Sequence, residues 1–548
     1  MPAEPDPRLN RLFPSMARSV LAAAPAEWSR AVYKVEATPG CSSTSLTYDT
    51  ADGRIGRTAD LDDEVVMTLI NLVGEDDAGF DIELTVRPDG DYEAAVSIRE
   101  DTGLVAKDRG YFSILDPGHR PPPYRGSEPD ETGPRDPSEA GDPDEVGRLI
   151  REYLSRVYAI FGKRLRTDEE RPDSPADIRR HLDALERRTG VTLPADLRAA
   201  YEQAWGLDYR AFYPWSWLPP DWLDGALTNM REVIGWWPGW KLGWKEVVCD
   251  ASPPGAVRRV KCHPAWIPFC DGPDQSYLAV DMSPGPEGRP GQVILVGRSW
   301  GDGAEYVADS VTTLIRNQLA ALDRGDFDAD VQEMTLSLHG EQFEFGRAEA
   351  AREWRGQAAD LARDDITPEL QRMLIWQGKR VDLEMLRDAP MLRELLVHST
   401  VCDLAPLRDL PLESLQLKTA RTDLTPLAGH PTLRVIALET TLAEPIDLAP
   451  LRTMPAIDGL DLSKAGVTGL DAIAELDGLR YLALNPDQWR ELHERIGGLH
   501  RLPPLAAAHI APAPSDDVVR HEEAVEWAGR LPGGDRPQVL RYTGRAER

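Results

Sequence analysis

Two cysteines and a histidine stand near one another in the stretch CHPAWIPFC: Cys262, His263 and Cys270. Thiolates and imidazoles are what zinc takes in structural sites, which close with four ligands at short spacings. The gap between the two cysteines is wider than a usual knuckle, and no second pair follows at metal spacing. These residues therefore read as core thiols on strands, and no metal is expected. Asp302 and Glu305 in GDGAEY come closest to a paired-carboxylate centre, but they read as a solvated loop. The sequence lacks the phosphate loop G-x-x-x-x-G-K-[ST] and the zinc-protease motif H-E-x-x-H. None of the ten histidines pairs with a serine or cysteine in an interpretable motif. The expectation is a non-enzyme without a cofactor.

The densest chemistry is aromatic. WWPGWKLGW, residues 236–244, holds Trp236, Trp237, Trp240 and Trp244, and FYPWSWLPP adds Trp215 and Trp217. In DWLDGALTNMREVIGWW, residues 221–237, Trp222, Ala226, Met230, Ile234 and Trp237 recur at helical spacing, so half of the cluster reads as core. Pro238 and Gly239 stop that helix. Trp236, Trp240 and Trp244 lie off the stripe or beyond the stop, and Trp215 and Trp217 alternate as in an extended segment. Tryptophan is enriched at binding hot spots because it buries a large area with few rotatable bonds. Core, partner surface and ligand platform all stay open for this cluster. The candidate protein-binding residues are Trp215, Trp217, Trp236, Trp240 and Trp244.

The chain that positions these residues has 548 of them, too many for one core. Its formal charge of −30 repels nucleic-acid backbones and would attract a basic protein. Five cysteines at irregular spacing imply no disulfide framework and fit a reducing cytoplasm. No apolar run approaches the roughly 20 residues that span a bilayer, so no membrane partner is expected. The expected first helix runs from about Pro14 to Ala24, with Pro14 in its first turn and Pro25 ending it.

Residues 1–118 read as an α+β unit, with a helix over 61–74 and a hairpin joining FDIELTV to YEAAVSI through Asp89-Gly90. Residues 119–174 read as a Pro- and Gly-rich acidic linker carrying one helix, 145–162. Residues 175–330 form a second α+β unit. Two helices flank TGVTLP, strands follow at 266–270, 276–282 and 291–297, and a helix at 310–325 closes it. Residues 331–380 read as a helical cap, and 501–548 as a tail with one helix.

Between 381 and 500 the pattern L-x-x-L-x-L recurs, starting at Leu392, Leu412, Leu433, Ile457 and Leu479, at steps of 20, 21, 24 and 22 residues. Such copies bury their leucines only against one another, so they stack as a solenoid. The residues between the leucines line its strand face, and Gln416, Glu439, Asp461 and Tyr481 are the candidate docking residues there. The alternative is a passive spacer. The expected fold class is α+β multidomain: two α+β domains followed by a repeat solenoid.

The repeats and their DLAPL and DLTPL turns are similar to the leucine-rich-repeat family. The family's asparagine position is taken here by Thr400, Ala420, Thr441, Ala465 and Asp487, so turn-ordering bonds should be uneven. TGVTLPADLRAAYEQAWG, the strands of WIPFCDGPDQSYLAVDMSPGPEGRPGQVILVG, and VADSVTTLI together resemble the SUKH superfamily of Smi/Knr-type domains. The first 118 residues are similar to YezG-like immunity proteins. These resemblances imply a cytoplasmic, non-catalytic immunity protein that neutralises a bacterial polymorphic toxin by stoichiometric binding of a basic toxin domain. The alternative they leave is a regulatory or signalling scaffold.

Overall fold

The structure, a computed structural model, describes residues 7–38, 41–51, 53–57, 80–98, 104–107, 109–116, 118–122, 137–162, 174–204, 215–234, 246–272, 275–297, 303–332, 335–339, 353–440, 444–513, 519–533 and 539–546. The helix expected over 61–74 lies outside them.

Helix Pro7–Ala22 packs Phe13, Met16, Ala17 and Val20 onto a six-stranded antiparallel sheet. It starts earlier than expected and holds Pro14 in its interior. Burial of the apolar stripe around Pro14 offsets the hydrogen bond that a mid-helix proline removes. The expected hairpin is present, with Val86 opposite Tyr92 and with Ile82, Leu84, Ala94 and Val96 turned into the core. The sheet's last strand is not local. Val539–Arg545, from the expected tail, pairs antiparallel with Asp91–Ile98, and Tyr542 packs against Phe13. Residues 501–548 are therefore no simple appendage.

The central unit is a five-stranded sheet in the order 305–308, 292–297, 276–281, 266–271, 216–217. Helix Pro175–Thr189 begins on a Ser174–Asp177 capping box and ends at Gly190, whose φ of 69° suits a residue without Cβ. Helix Pro143–Ile160, assigned from sequence to the linker, buries Val146, Leu149, Ile150, Tyr153, Leu154 and Val157 in this core. The unit thus begins near residue 142 rather than 175, because an amphipathic helix beside an open core docks there.

The third sheet has ten strands. From Glu353–Gln357 through Arg372–Val381, Glu394–Cys402, Ser414–Arg421, Val435–Thr440, Gly459–Lys464 and Tyr481–Leu484 to Ala507–Ile510, each neighbouring pair runs parallel. Every leucine-pattern residue from Leu392 to Leu484 is buried in one core. The turns explain themselves. Asp403, Asp423 and Asp447 each accept the backbone N–H two residues on, at 2.9–3.0 Å, and so start a short 3-10 helix.

Two expectations fail in this region. The helical cap over 331–380 is replaced, among the described residues, by the hairpin 327–330/335–338 and the strands 353–357 and 372–381. Leu370, Met373 and Ile375 sit at the repeat's own offsets and are buried, and Asp382 starts the next turn, so the segment is a further copy. The turn-ordering side chains also stand one or two residues earlier than the positions expected. Ser399, Thr419 and Asn485 bond to backbone carbonyls, and Thr440 accepts the Gly466 N–H. Strand Gly110–Ile114 continues this sheet by antiparallel pairing with Ala507–Ile510, and Leu104–Lys107 pairs antiparallel with Gly110–Ile114 at its edge, so residues before the expected boundary at 118 belong to the same sheet as the repeat.

Candidate functional site

Side chains alternate along a strand, so residues between the buried leucines point to the other face. Register aligns them in rows. One row reads Leu374, Leu396, Gln416, Ala437, Asp461, Ala483, His509, Phe112, and the row before it reads Arg372, Glu394, Ser414, Val435, Gly459, Tyr481, Ala507, Ile114.

The two ends of these rows differ. Toward residue 372, Leu374, Trp376, Leu396, His398, Gln416 and Lys418 are half-buried. Trp376 meets His398 edge-on, with ring centroids 4.8 Å apart, and Lys418 pairs with Glu439 at 2.6 Å. Burial and the neighbouring Lys418 ammonium hold His398 below its ordinary pKa. Toward residue 507 the face is closed. Val435, Tyr481, Ala483, Ala507, Phe112 and Ile114 form one small buried cluster, and His509 stacks on Phe112 at 3.9 Å.

Of the four docking candidates, Gln416 and Asp461 share a row and Glu439 lies beside them, all half-buried. Tyr481 does not join them as an exposed anchor. It is 4 % exposed and packs against Phe112. The signal for this closure lay in the N-terminal strand that extends the sheet, far from Tyr481 in sequence.

The tryptophans divide differently from the expectation. Trp217 is buried between Tyr201 and Phe269, so it is core rather than partner surface. Trp215 is half-buried, and its ring lies against Gly272 so closely that a Cβ there would clash with it. Trp236, Trp240 and Trp244 lie outside the described residues, as does Trp237. Trp222 reverses its expected place at 62 % exposure. Helix Leu223–Ile234 turns Leu223, Leu227 and Met230 inward instead, a stripe displaced toward its aliphatic residues.

Cys270 is fully buried on its strand, and burial raises its thiol pKa well above the ordinary value. His263 Nδ1 accepts the Ala265 N–H at 3.0 Å. Glu305 is buried at the start of a strand rather than solvated, and Asp302 lies outside the described residues. Among the described residues no group of three or more His, Cys, Asp and Glu is placed to hold a metal, and no helix is long and apolar enough to cross a membrane. One buried carboxylate stands out. Asp281 accepts from Ser283 N at 2.9 Å and Gln292 Nε2 at 3.0 Å, and desolvation pushes its pKa up to about 7.

A second feature was missed from the sequence. The residue just before each parallel strand from Arg372–Val381 to Tyr481–Leu484 is, in order, Gln371, Arg393, Glu413, Arg434, Asp458 and Arg480, so charge alternates along one edge of the stack from Arg393 onward. Backbone bonds tie successive members at 2.7–3.0 Å. The segment 246–261 of the central unit lies on this row. Arg393 reaches Asp250 at 2.6 Å and Glu413 at 3.0 Å, Arg259 pairs with Glu413, and Arg434 donates to the Glu246 carbonyl. Gln371 and Asp250 exchange two bonds, at 2.6 and 3.2 Å. Arg372 joins the row to the face, donating to the Val247 carbonyl at 3.2 Å and to Glu394 at 2.6 Å.

Comparison with known proteins bears on the central unit. The SMI1 / KNR4 family (SUKH-1) model matches residues 178–317. A glucan synthesis regulatory protein of Neurospora crassa is 27% identical over 194 residues, which cover 28% of this chain and 35% of that protein. A KNR4/SMI1 homolog of Yarrowia lipolytica is 40% identical over 81 residues, 15% of this chain and 11% of that protein. The cell wall assembly regulator SMI1 of Saccharomyces cerevisiae is 44% identical over 48 residues, 9% of this chain and 10% of that protein. The chain therefore spans about a third or less of the length of these curated relatives. A solved internalin from Listeria monocytogenes aligns with 37% of this chain and 76% of its own at 13% identity, with a TM-score of 0.17. Within this larger chain, residues 178–317, which hold the five-stranded sheet, are an SMI1/KNR4 (SUKH-1) domain.

Proposed function

We propose that this chain is a non-catalytic, cytoplasmic protein-binding protein. In this reading the parallel sheet is a leucine-rich-repeat solenoid, and the open half of its strand face receives a protein partner. The observation that carries the proposal is the half-exposed group Leu374, Trp376, Leu396, His398, Gln416 and Lys418, where aliphatic and aromatic side chains stand beside charged ones. Such a mixture, with an aromatic among its members, is the usual composition of a binding hot spot.

The finer reading is stoichiometric neutralisation of a bacterial toxin domain. The net charge of −30 supports it, since an acidic surface speeds encounter with a basic domain. The YezG-like reading of the N-terminal sheet belongs to the same proposal. The names of the fungal relatives support the other reading, a regulatory scaffold. Co-expression with a toxin domain encoded beside this chain separates the two. Immunity predicts restored growth and a one-to-one complex by calorimetry, weakened at least about tenfold by Leu396→Glu at the hot spot. Continued growth arrest despite stoichiometric expression would contradict immunity and leave the scaffold.

A further inference from the structure

The contact between the SUKH-1 domain and the parallel sheet has an unusual composition. Each module has its own apolar core, and neither core cluster includes a residue of the other. Among the described residues the bonds that join them are polar. Asp250, Arg259 and the Val247 and Glu246 carbonyls meet Gln371, Arg372, Arg393, Glu413 and Arg434. The seam is also largely shielded from water, with Arg259 at its margin at 28% exposure. Val247, Val248 and Asp250 are 1%, 2% and 8% exposed, and the Arg393 and Glu413 side chains 17% and 18%. Charge pairs with so little access to water are intolerant of mismatch, because a buried charge left facing its like is strongly destabilising. The repeat's edge alternates in sign along the stack, so sliding the domain by one strand would set Asp250 against Glu413 or Arg259 against an arginine.

We propose that this alternating row is a charge-coded latch. It fixes the SUKH-1 domain on one register of the repeat, and it can open while both modules stay folded. Arg372 gives the latch a link to the strand face, since one guanidinium holds both the Val247 carbonyl and Glu394, which Gln416 Nε2 approaches at 3.5 Å. A partner that draws Glu394 away therefore loosens the seam. The latch decides whether the domain and the repeat meet one partner together or two separately. It does not depend on the identity of either.

Charge exchange on the full chain tests this. Arg393→Glu with Glu413→Arg keeps opposite charges at those two positions, sets like charges across the seam and gives up the Glu413–Arg434 contact. Asp250→Arg with Arg259→Glu does the same from the domain side and leaves the repeat untouched. Either double variant is expected to speed amide exchange over residues 246–251 at least about tenfold and to raise the radius of gyration, with the circular dichroism of both modules kept. The quadruple variant re-forms opposite-charge pairs and is expected to return exchange to within roughly threefold of the wild type. Unchanged exchange in either double variant would overturn the latch, and so would a quadruple variant that stays open. If a double variant loses its fold, recovery in the quadruple variant still supports the latch, and failure to recover counts against it.

Discussion

Leu396 and Tyr481 both point to the strand face of one parallel sheet, yet Leu396 is half-buried and Tyr481 is sealed. The repeat treats them alike, because the leucines beside each are equally buried. The difference comes from outside the repeat. Strand Gly110–Ile114 extends the sheet past Ala507–Ile510, and its Phe112 and Ile114 close an apolar cluster over Tyr481 and Ala483. Nothing comparable lies on the Leu374–Gln416 end among the described residues. Repeat periodicity fixes the direction of a side chain. Whether water or a partner can reach it depends on what else the chain folds across that face.

The largest effects should ignore this contrast. Leu417→Ala and Leu482→Ala remove side chains that are 2% and 0% exposed beneath the open and closed halves. Each should cost about 2–5 kcal/mol in denaturant unfolding. A marked gap between them would mean that the halves differ in core as well as in cover.

Tyr481→Ala and Leu396→Ala sharpen the contrast directly. Tyr481→Ala should cost roughly 3 kcal/mol as a buried aromatic, and Leu396→Ala less than about 1 kcal/mol. Similar losses measured in urea would remove the distinction between a closed half and an open one.

Acid should act on the open half through His398. Its pKa in the fold is lowered, first by burial and then by Lys418, so the unfolded chain takes the proton first. The stabilising contribution is full above the ordinary histidine range near 6.5 and is lost as pH falls through the depressed value. The thermal midpoint of His398→Gln should therefore fall less between pH 7 and pH 5 than that of the wild type. Parallel curves would show that His398 titrates alike in both states.

The smallest effect belongs to Lys418 and Glu439, a pair with side chains 41% and 35% exposed. A double-mutant cycle should give no more than about 1 kcal/mol, shrinking in salt. A larger coupling would mean that this part of the face is less open to water than its exposure implies.

How much of this was readable in the sequence depends on how local the signal is. The leucine spacing located the core of five copies, because each copy repeats its own in-and-out alternation. The copy at Leu370, Met373 and Ile375 escaped, since TPELQRM is rich in helix formers and propensity outvoted the pattern that tertiary packing obeys. Helical spacing places Trp222 inside, because the stripe that is in fact buried, through Leu223 and Leu227, lies one residue over and shares Met230 with it. The pairing of Val539–Arg545 with Asp91–Ile98, and the closure over Tyr481, join segments far apart in the chain, and no local pattern marks them. The alternating row was in plain view as Arg393, Glu413, Arg434, Asp458 and Arg480, each ahead of a strand, but its meaning needed the segment that lies on it.

The central claim is that a protein partner meets the open half of the face. Photo-crosslinking in living cells tests it most directly, with a benzophenone amino acid placed at Leu396 in one variant and at Tyr481 in another. A discrete adduct of higher mass is expected from position 396 that disappears with Gln416→Arg, and none from position 481. An adduct from 481 of equal yield, or none from 396 under conditions where the chain does its work, would contradict it.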